Sequence, residues 1–245
     1  MQLKLTIQYE GTAYQGWQRQ AAGPTVQAVL EHALATVLRE RVHVHGAGRT
    51  DAGVHAWGQV AAVHVSRVPA DLSGLLRSLN ALTPDDIAVR ELTIVNDEFD
   101  PRRHARSRLY EYRIWNDPAP SPFWRRYAWH LPFLLDAEAM AAAAACLEGE
   151  HDFAAFKAAD PTAVPSTVRR VLESRVVAER PLVVYRIEAN AFLKHMVRNI
   201  VGTLVDVGRG ARAPSALLAL LAGRDRTAAG QAAPAHGLVL VAVRY

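Results

Sequence analysis

The sequence is poor in cysteine and lysine. Its 245 residues include one cysteine, Cys146, so the chain can form neither an internal disulfide nor a cysteine-based zinc site. That fits a reducing compartment. There is no apolar run of the roughly 18 residues that a spanning helix needs, so no membrane span and no membrane partner is predicted. Residues Met1 to Tyr9 alternate in polarity and lack a basic stretch followed by an apolar one. A signal peptide is therefore not expected there. Glycine (15) and proline (13) are too few for a collagen-like chain, and 50% apolar residues are too many for a wholly disordered one. At roughly 150 residues per domain the length suggests one large domain or two small ones. A chain of this size buries about 70% of its unfolded surface, so its core can be large.

Only Lys4, Lys157 and Lys194 are lysines, so arginine supplies 25 of the 28 basic residues. Against 24 acidic residues this gives a net charge of +4. The charge is unevenly placed. Residues 1–100 carry −3, 101–130 carry +5, 131–180 carry −3 and 181–245 carry +5. A modest total thus hides two basic blocks, which could form a footprint for a polyanion. A genome biased toward arginine and alanine, as in Ala141 to Ala145, explains the Arg/Lys ratio equally well but not the clustering.

Hydrophobic periodicity divides the chain into short elements. Strands are predicted over Leu3–Tyr9, Val42–His45, Trp57–Val65 and Ile87–Val95. Thr25–Glu40 carries an apolar stripe at helical spacing. A second helix is predicted over Pro69–Leu79, with Pro69 in its first turn. A similar series follows. Strands are predicted over Leu109–Trp115, Val168–Val177, Val183–Phe192 and Leu238–Tyr245. Helices are predicted over Asp136–Leu147 with Asp136 as N-cap, over His195–Val207 ended by Gly208 and Gly210, and over Ser215–Leu221. Hairpin-like strand pairs with helices between them make the fold class α+β. Two similar halves meeting near residues 100–110 are expected.

Three segments carry chemistry-bearing side chains. Gly46–His55 (GAGRTDAGVH) sets Asp51 among glycines that let the backbone turn sharply and approach a ligand. Asp51 either faces a cleft as base or nucleophile or caps its own turn. The loop lacks the Gly-Lys-Ser/Thr ending of a phosphate-binding P-loop. Phe99–Tyr112 combines Arg102, Arg103, Arg106 and Arg108 with Tyr110 and Tyr112. Guanidinium groups bind phosphate and tyrosine rings stack on bases, but the same run also suits a solvated edge strand. In Asn190–Gly202, Lys194 and Arg198 lie four apart in an otherwise apolar stretch. Arg198 is either buried against an anionic partner or reaches out to solvent. His43, His45, His55 and His64 lack an accompanying carboxylate pattern, so no metal site is predicted. No Ser-His-Asp arrangement has recognisable local context.

Taken together, these segments resemble the tRNA pseudouridine synthase A family. The stretch GRTDAGVHAWGQV, Gly48 to Val60, is similar to its catalytic signature. In the family's order come YEGTAYQGWQRQ (Tyr9 to Gln20), the Arg-rich block with Tyr110, and GEHDFAAF (Gly149 to Phe156). ANAFLKHMVRNIVG (Ala189 to Gly202) and AGQAAPAHGLVL (Ala229 to Leu240) follow. The resemblance spans nearly the whole chain. It implies an isomerase that converts uridine to pseudouridine at positions 38, 39 and 40 in the anticodon stem-loop of tRNA, without a cofactor, in the cytoplasm, as a homodimer. It implies Asp51 as the catalytic aspartate, Tyr110 as the ring that stacks on the target base, and Arg198 as the basic partner of Asp51. Arg49 would help hold the flipped-out state and Leu238 would line the base pocket. The implied fold is two RNA-recognition-like (ferredoxin-like) halves, with antiparallel sheets joined around a central cleft. The first half, 1–104, would carry the aspartate loop, and the second, 105–245, the tyrosine and arginine. Asp100-Pro101 and Lys194 depart from the family's usual residues, both beside the matched site positions. A non-catalytic RNA-binding protein and a hydrolase using Asp51 are the alternative readings.

Overall fold

The computed structural model describes residues 1–159 and 165–245. The chain forms two compact units, Met1–Arg106 with Val239–Tyr245, and Ser107–Leu238. Each is a mixture of helices and a mostly antiparallel sheet, so the protein is α+β.

In the first unit, alternation of side chains across the pleat explains the strand β1 (Gln2–Tyr9), which fully buries Leu3, Leu5 and Ile7. It lies between two antiparallel neighbours, β3 (His55–His64) and β4 (Ile87–Val95). The short β2 (Val44–Gly46) pairs with the other side of β3. The apolar stripe of Thr25–Glu40 becomes helix α1 (Val26–Leu38), which buries Val26, Leu30 and Leu34. Thr25 caps it by accepting from the Ala28 amide. Helix α2 (Leu72–Leu82) begins later than periodicity predicts. Asp71 caps it, accepting from the Gly74 amide at 2.8 Å, and Pro69 lies outside. A carboxylate at the N-cap satisfies an amide that proline in the first turn leaves to solvent. The closing strand β10 (Leu238–Arg244) pairs parallel to β3, Val239 facing His55 and Leu240 facing Ala56. This pairing explains why β3 starts two residues ahead of its predicted start, at His55 rather than Trp57.

In the second unit, β5 (Ser107–Trp115) runs antiparallel to β9 (Leu182–Ala189), and β9 to β8 (Val168–Glu179). Two short strands were not foreseen: β6 (Trp129–His130), parallel to β5, and β7 (Gly149–Asp152), antiparallel to β8. Both are too short to show a period. Helix α3 (Ala137–Ala145), capped by Asp136, packs on β8 and on α4 (Met196–Gly208). Gly208 does not end α4 but is its last residue, beside Met140 and Leu135 of the α3 region. Gly210 makes the left-handed turn that follows, at φ +75°. Helix α5 is Ala216–Gly223. The core holds Tyr112, Ile114, Phe153, Phe156, Tyr185 and Ile187. Among the described residues no helix is long and apolar enough to cross a membrane.

Candidate active site

Asp51 sits in the loop between β2 and β3, and the backbone on both sides of it is fixed. The Thr50 hydroxyl shares a hydrogen bond of 2.8 Å with the buried Tyr9 hydroxyl, and the Thr50 carbonyl accepts from the Trp17 amide. On the other side the Gly53 amide donates to the Tyr14 carbonyl, and the Val54 amide to the Asp51 carbonyl. The Gln59 side chain donates to the Gly48 carbonyl at 3.0 Å. A side chain at Gly16, whose φ is +91°, would meet the Thr50 carbonyl oxygen at 2.5 Å. The backbones of the two loops therefore touch at a point that only glycine permits. This explains why YEGTAYQGWQRQ accompanies GRTDAGVH: the Tyr9–Trp17 loop is the clamp on the aspartate loop.

The clamp is dry. Burial pushes the Tyr9 hydroxyl up to about 12, against the lowering effect of its hydrogen bonds with Thr50 and Gln59. The ring of His55 is buried, and its Nδ1 accepts from the Gly11 amide at 2.9 Å. Asp51 itself is half-buried, and Arg49 is exposed.

The Arg-rich block is divided in its use. Asp100 nucleates a turn, its carboxylate accepting from the amides of Arg102 at 2.8 Å and Arg103 at 2.9 Å. Those bonds, the Arg103 amide's above all, hold its carboxyl below the usual range. Pro101 is buried, and its carbonyl accepts from the Tyr245 hydroxyl. The departure at Asp100-Pro101 thus builds a turn that ties down the chain's last residue. Arg102, Arg103 and Arg106 are exposed, whereas Arg108 is buried and donates to the Asn190 carbonyl at 2.9 Å. Arg108 works inside the fold, and the surface charge of the block falls to the other three.

In the second unit, Tyr110 and Tyr112 are two apart on β5 and share a face. Tyr110 is nearly buried, its ring edge-on to Phe192 with centroids 5.0 Å apart. Tyr112 donates to the Pro234 carbonyl at 2.8 Å. Burial raises its hydroxyl well above the ordinary tyrosine range, and the positive charge of Arg198 opposes this. Arg198, in the first turn of α4, donates through Nε to the Ala233 carbonyl at 2.7 Å. The Ala233 amide returns a bond to the Arg198 carbonyl at 3.0 Å. Its guanidinium is therefore aimed by residues 230–234, which lie close along α4. A side chain at Gly202 would meet the Gln231 carbonyl oxygen at 1.7 Å. The buried Asn199 donates to the Phe156 carbonyl and accepts from Arg226. Tyr112, Arg198 and the turn leading to the buried Leu238 are thus linked in this unit, with Tyr110 on the same strand face as Tyr112.

Arg226, Asn199, Phe192 and the Tyr9–Trp17 clamp were not singled out from sequence for a role. For Asn199, Phe192 and the clamp the only signal is their presence within long matching segments, because hydrogen bonds between distant segments leave no local period. Arg226 lies outside those segments. His195, directly before α4, takes a left-handed φ of 58°. It therefore ends the approach to the helix and is not its first residue.

Comparison with known proteins defines the class. The sequence model of a family described as tRNA pseudouridine synthase matches residues 5–102 and 143–245. The tRNA pseudouridine synthase A of Geotalea uraniireducens is 46% identical over 244 residues, covering 100% of this chain and 99% of that protein. That of Myxococcus xanthus is 48% identical, covering 99% and 91%. That of Methylacidiphilum infernorum is 44% identical over 242 residues, covering 99% and 94%. The chain belongs to the tRNA pseudouridine synthase family, a family of isomerases.

Proposed function

We propose that the chain converts uridine to pseudouridine at positions 38, 39 and 40 of the anticodon stem-loop of tRNAs, with Asp51 as the catalytic aspartate. The observation that carries this is the full-length similarity to proteins named tRNA pseudouridine synthase A. The clamp on both sides of Asp51 supports its role, because a group that must meet one atom of a bound base has to be held in place.

The reaction breaks the N1–C1′ glycosidic bond, turns the uracil and joins C5 to C1′. The proton on C5 is lost and N1 gains one, so no oxidant or cofactor is consumed. The base must first leave the stack, at a cost of a few kcal/mol. Stacking on Tyr110 offsets part of that cost, and the edge-on Phe192 holds the ring ready. Arg49 secures the flipped-out nucleotide. Arg198 pairs with Asp51, keeping the carboxylate charged and fixing its direction. Leu238 lines the base pocket.

The family resemblance also supports two RNA-recognition-like halves around the base-binding cleft, residues 1–104 bringing the aspartate and 105–245 the tyrosine and arginine. It supports a homodimer and a cytoplasmic location as well. The direct test is release of tritium from tRNA labelled at uridine C5. Release by the protein supports the assignment. No release from any labelled tRNA overturns it.

A further inference from the structure

Between β5 and α3 runs an arch, residues 116–135, that the function described above does not use. All of it lies in the gap between the two stretches matched by the family's sequence model. Its tip carries the most exposed large apolar side chain among the described residues, Phe123 at 87%. Tyr127 and Phe133 are also exposed, at 40% and 41%, and Arg125 and Arg126 are exposed between the first two rings. From Pro118 to Leu135 there is no acidic residue.

The exposure does not come from a loose chain. Trp124 stacks on Trp115 of β5, with planes 18° apart, and the Trp115 indole donates to the Ala119 carbonyl at 2.9 Å. The Asn116 side chain donates to the carbonyls of Leu131 and Phe133 and accepts from the Leu135 amide. Trp129 lies edge-on to Tyr112. The arch is thus pinned at both feet and through its middle, while its aromatic tip is held out in water. Leaving a phenylalanine exposed forgoes about 2 kcal/mol of burial, so a rigid arch that does so points to a ligand.

We propose that the arch is a second contact surface for the tRNA substrate, separate from the target-base site. Unpaired bases stack on Phe123 and Tyr127 there, while Arg125 and Arg126 take the neighbouring phosphates. This rests on tRNA being the substrate. Aromatic rings interleaved with cations and free of acidic groups match single-stranded nucleic acid, whose bases offer ring faces and whose backbone offers negative charge. A second copy of the chain fits less well. In a two-fold contact the patch meets itself, and the arginines would face their own copies with only Asp117, at the foot of the arch and already accepting from the Ala119 amide, to compensate.

The test uses the full chain with unmodified tRNA. Affinity is measured by fluorescence anisotropy across a range of salt for wild type, Phe123→Ala, Phe123→Trp and Arg125→Ala, with molar mass by light scattering alongside. Phe123→Ala is expected to weaken binding roughly 5- to 100-fold, the loss of one stacked base. Phe123→Trp, which keeps a ring, should bind like wild type. Arg125→Ala should reduce the slope of log affinity against log salt by about 1. Equal affinity and equal slope in all four proteins overturns the proposal. A fall in molar mass for Phe123→Ala also overturns it, because the arch is then a contact between copies. Tritium release by wild type is scored separately. If wild type is active while Phe123→Ala binds normally, the arch fails and the activity stands. If wild type is inactive, the activity fails whatever the binding shows.

Discussion

Asp51 illustrates what one residue's sequence context reveals and what it hides. The spacing of glycines made the loop visible, yet left open whether Asp51 caps its own turn. In the structure that loop is held by Tyr9, Tyr14 and Trp17, through bonds to Thr50 and Gly53. No local pattern encodes a bond across 41 residues. Because these contacts are made by Thr50 and Gly53, Asp51→Asn should keep the fold and bind tRNA nearly as well. Its turnover should fall by on the order of 10⁴-fold, as when other enzymes lose a catalytic group. Tyr110 makes a second residue-scale prediction. Tyr110→Phe keeps the ring against Phe192 and should retain most activity, whereas Tyr110→Leu should lose about 1–3 kcal/mol of stacking. Equal rates for Tyr110→Leu and wild type, from tritium release at subsaturating tRNA, would remove the stacking role.

At the scale of elements, capping residues were the most legible feature. Asp136 begins α3 as expected, and Thr25 begins α1 at the edge of its predicted stripe. Asp71 overrode the proline signal before α2. What the sequence concealed is contact between elements. The two-residue β6 and four-residue β7 exist because neighbouring strands offer them partners. Residues 230–234 have no regular structure of their own, yet they lie against α4 at Gly202 and aim Arg198. Gly202→Ala should therefore force the two backbones apart at a cost of about 1–3 kcal/mol. That corresponds to a melting temperature lower by about 2–4 °C for each kcal/mol in a protein of this size. Because Arg198 hangs from the same segment, turnover at saturating tRNA should fall as well. A variant with normal melting and normal turnover would show that the close approach is unimportant.

At the scale of the molecule, the net charge of +4 says little, and its placement in two blocks says more. The structure turns Arg108 inward and leaves Arg102, Arg103 and Arg106 on the surface, Arg103 beside the Asp100 carboxylate. tRNA affinity should fall with rising salt in proportion to the phosphates neutralised, and a flat response would mean that the arginines face elsewhere. The α+β class could be read from periodicity, but the pairing of β10 beside β3 could not, because it joins residues almost two hundred positions apart (Val239 and His55). Buried tyrosines give the whole fold an alkaline limit. Tyr9 has its hydroxyl raised from 10.0 to about 12, and burial raises Tyr112 and Tyr185 in the same direction. A raised folded-state value means that the native protein holds these protons more tightly than the unfolded chain does. The stabilisation is complete below about pH 10 and is lost as pH climbs toward about 12. Melting temperature should thus fall steeply over that window, and Tyr9→Phe should make the fall shallower. A melting temperature unchanged from pH 10 to 12 would contradict the burial of these hydroxyls.

The most direct test of the account compares wild type and Asp51→Asn for tritium release from C5-labelled tRNA, with binding of the same tRNA measured in parallel. Wild type is expected to release tritium, Asp51→Asn none above background, and both to bind the tRNA with similar affinity. Release by Asp51→Asn at a rate near that of wild type would contradict the catalytic role of Asp51.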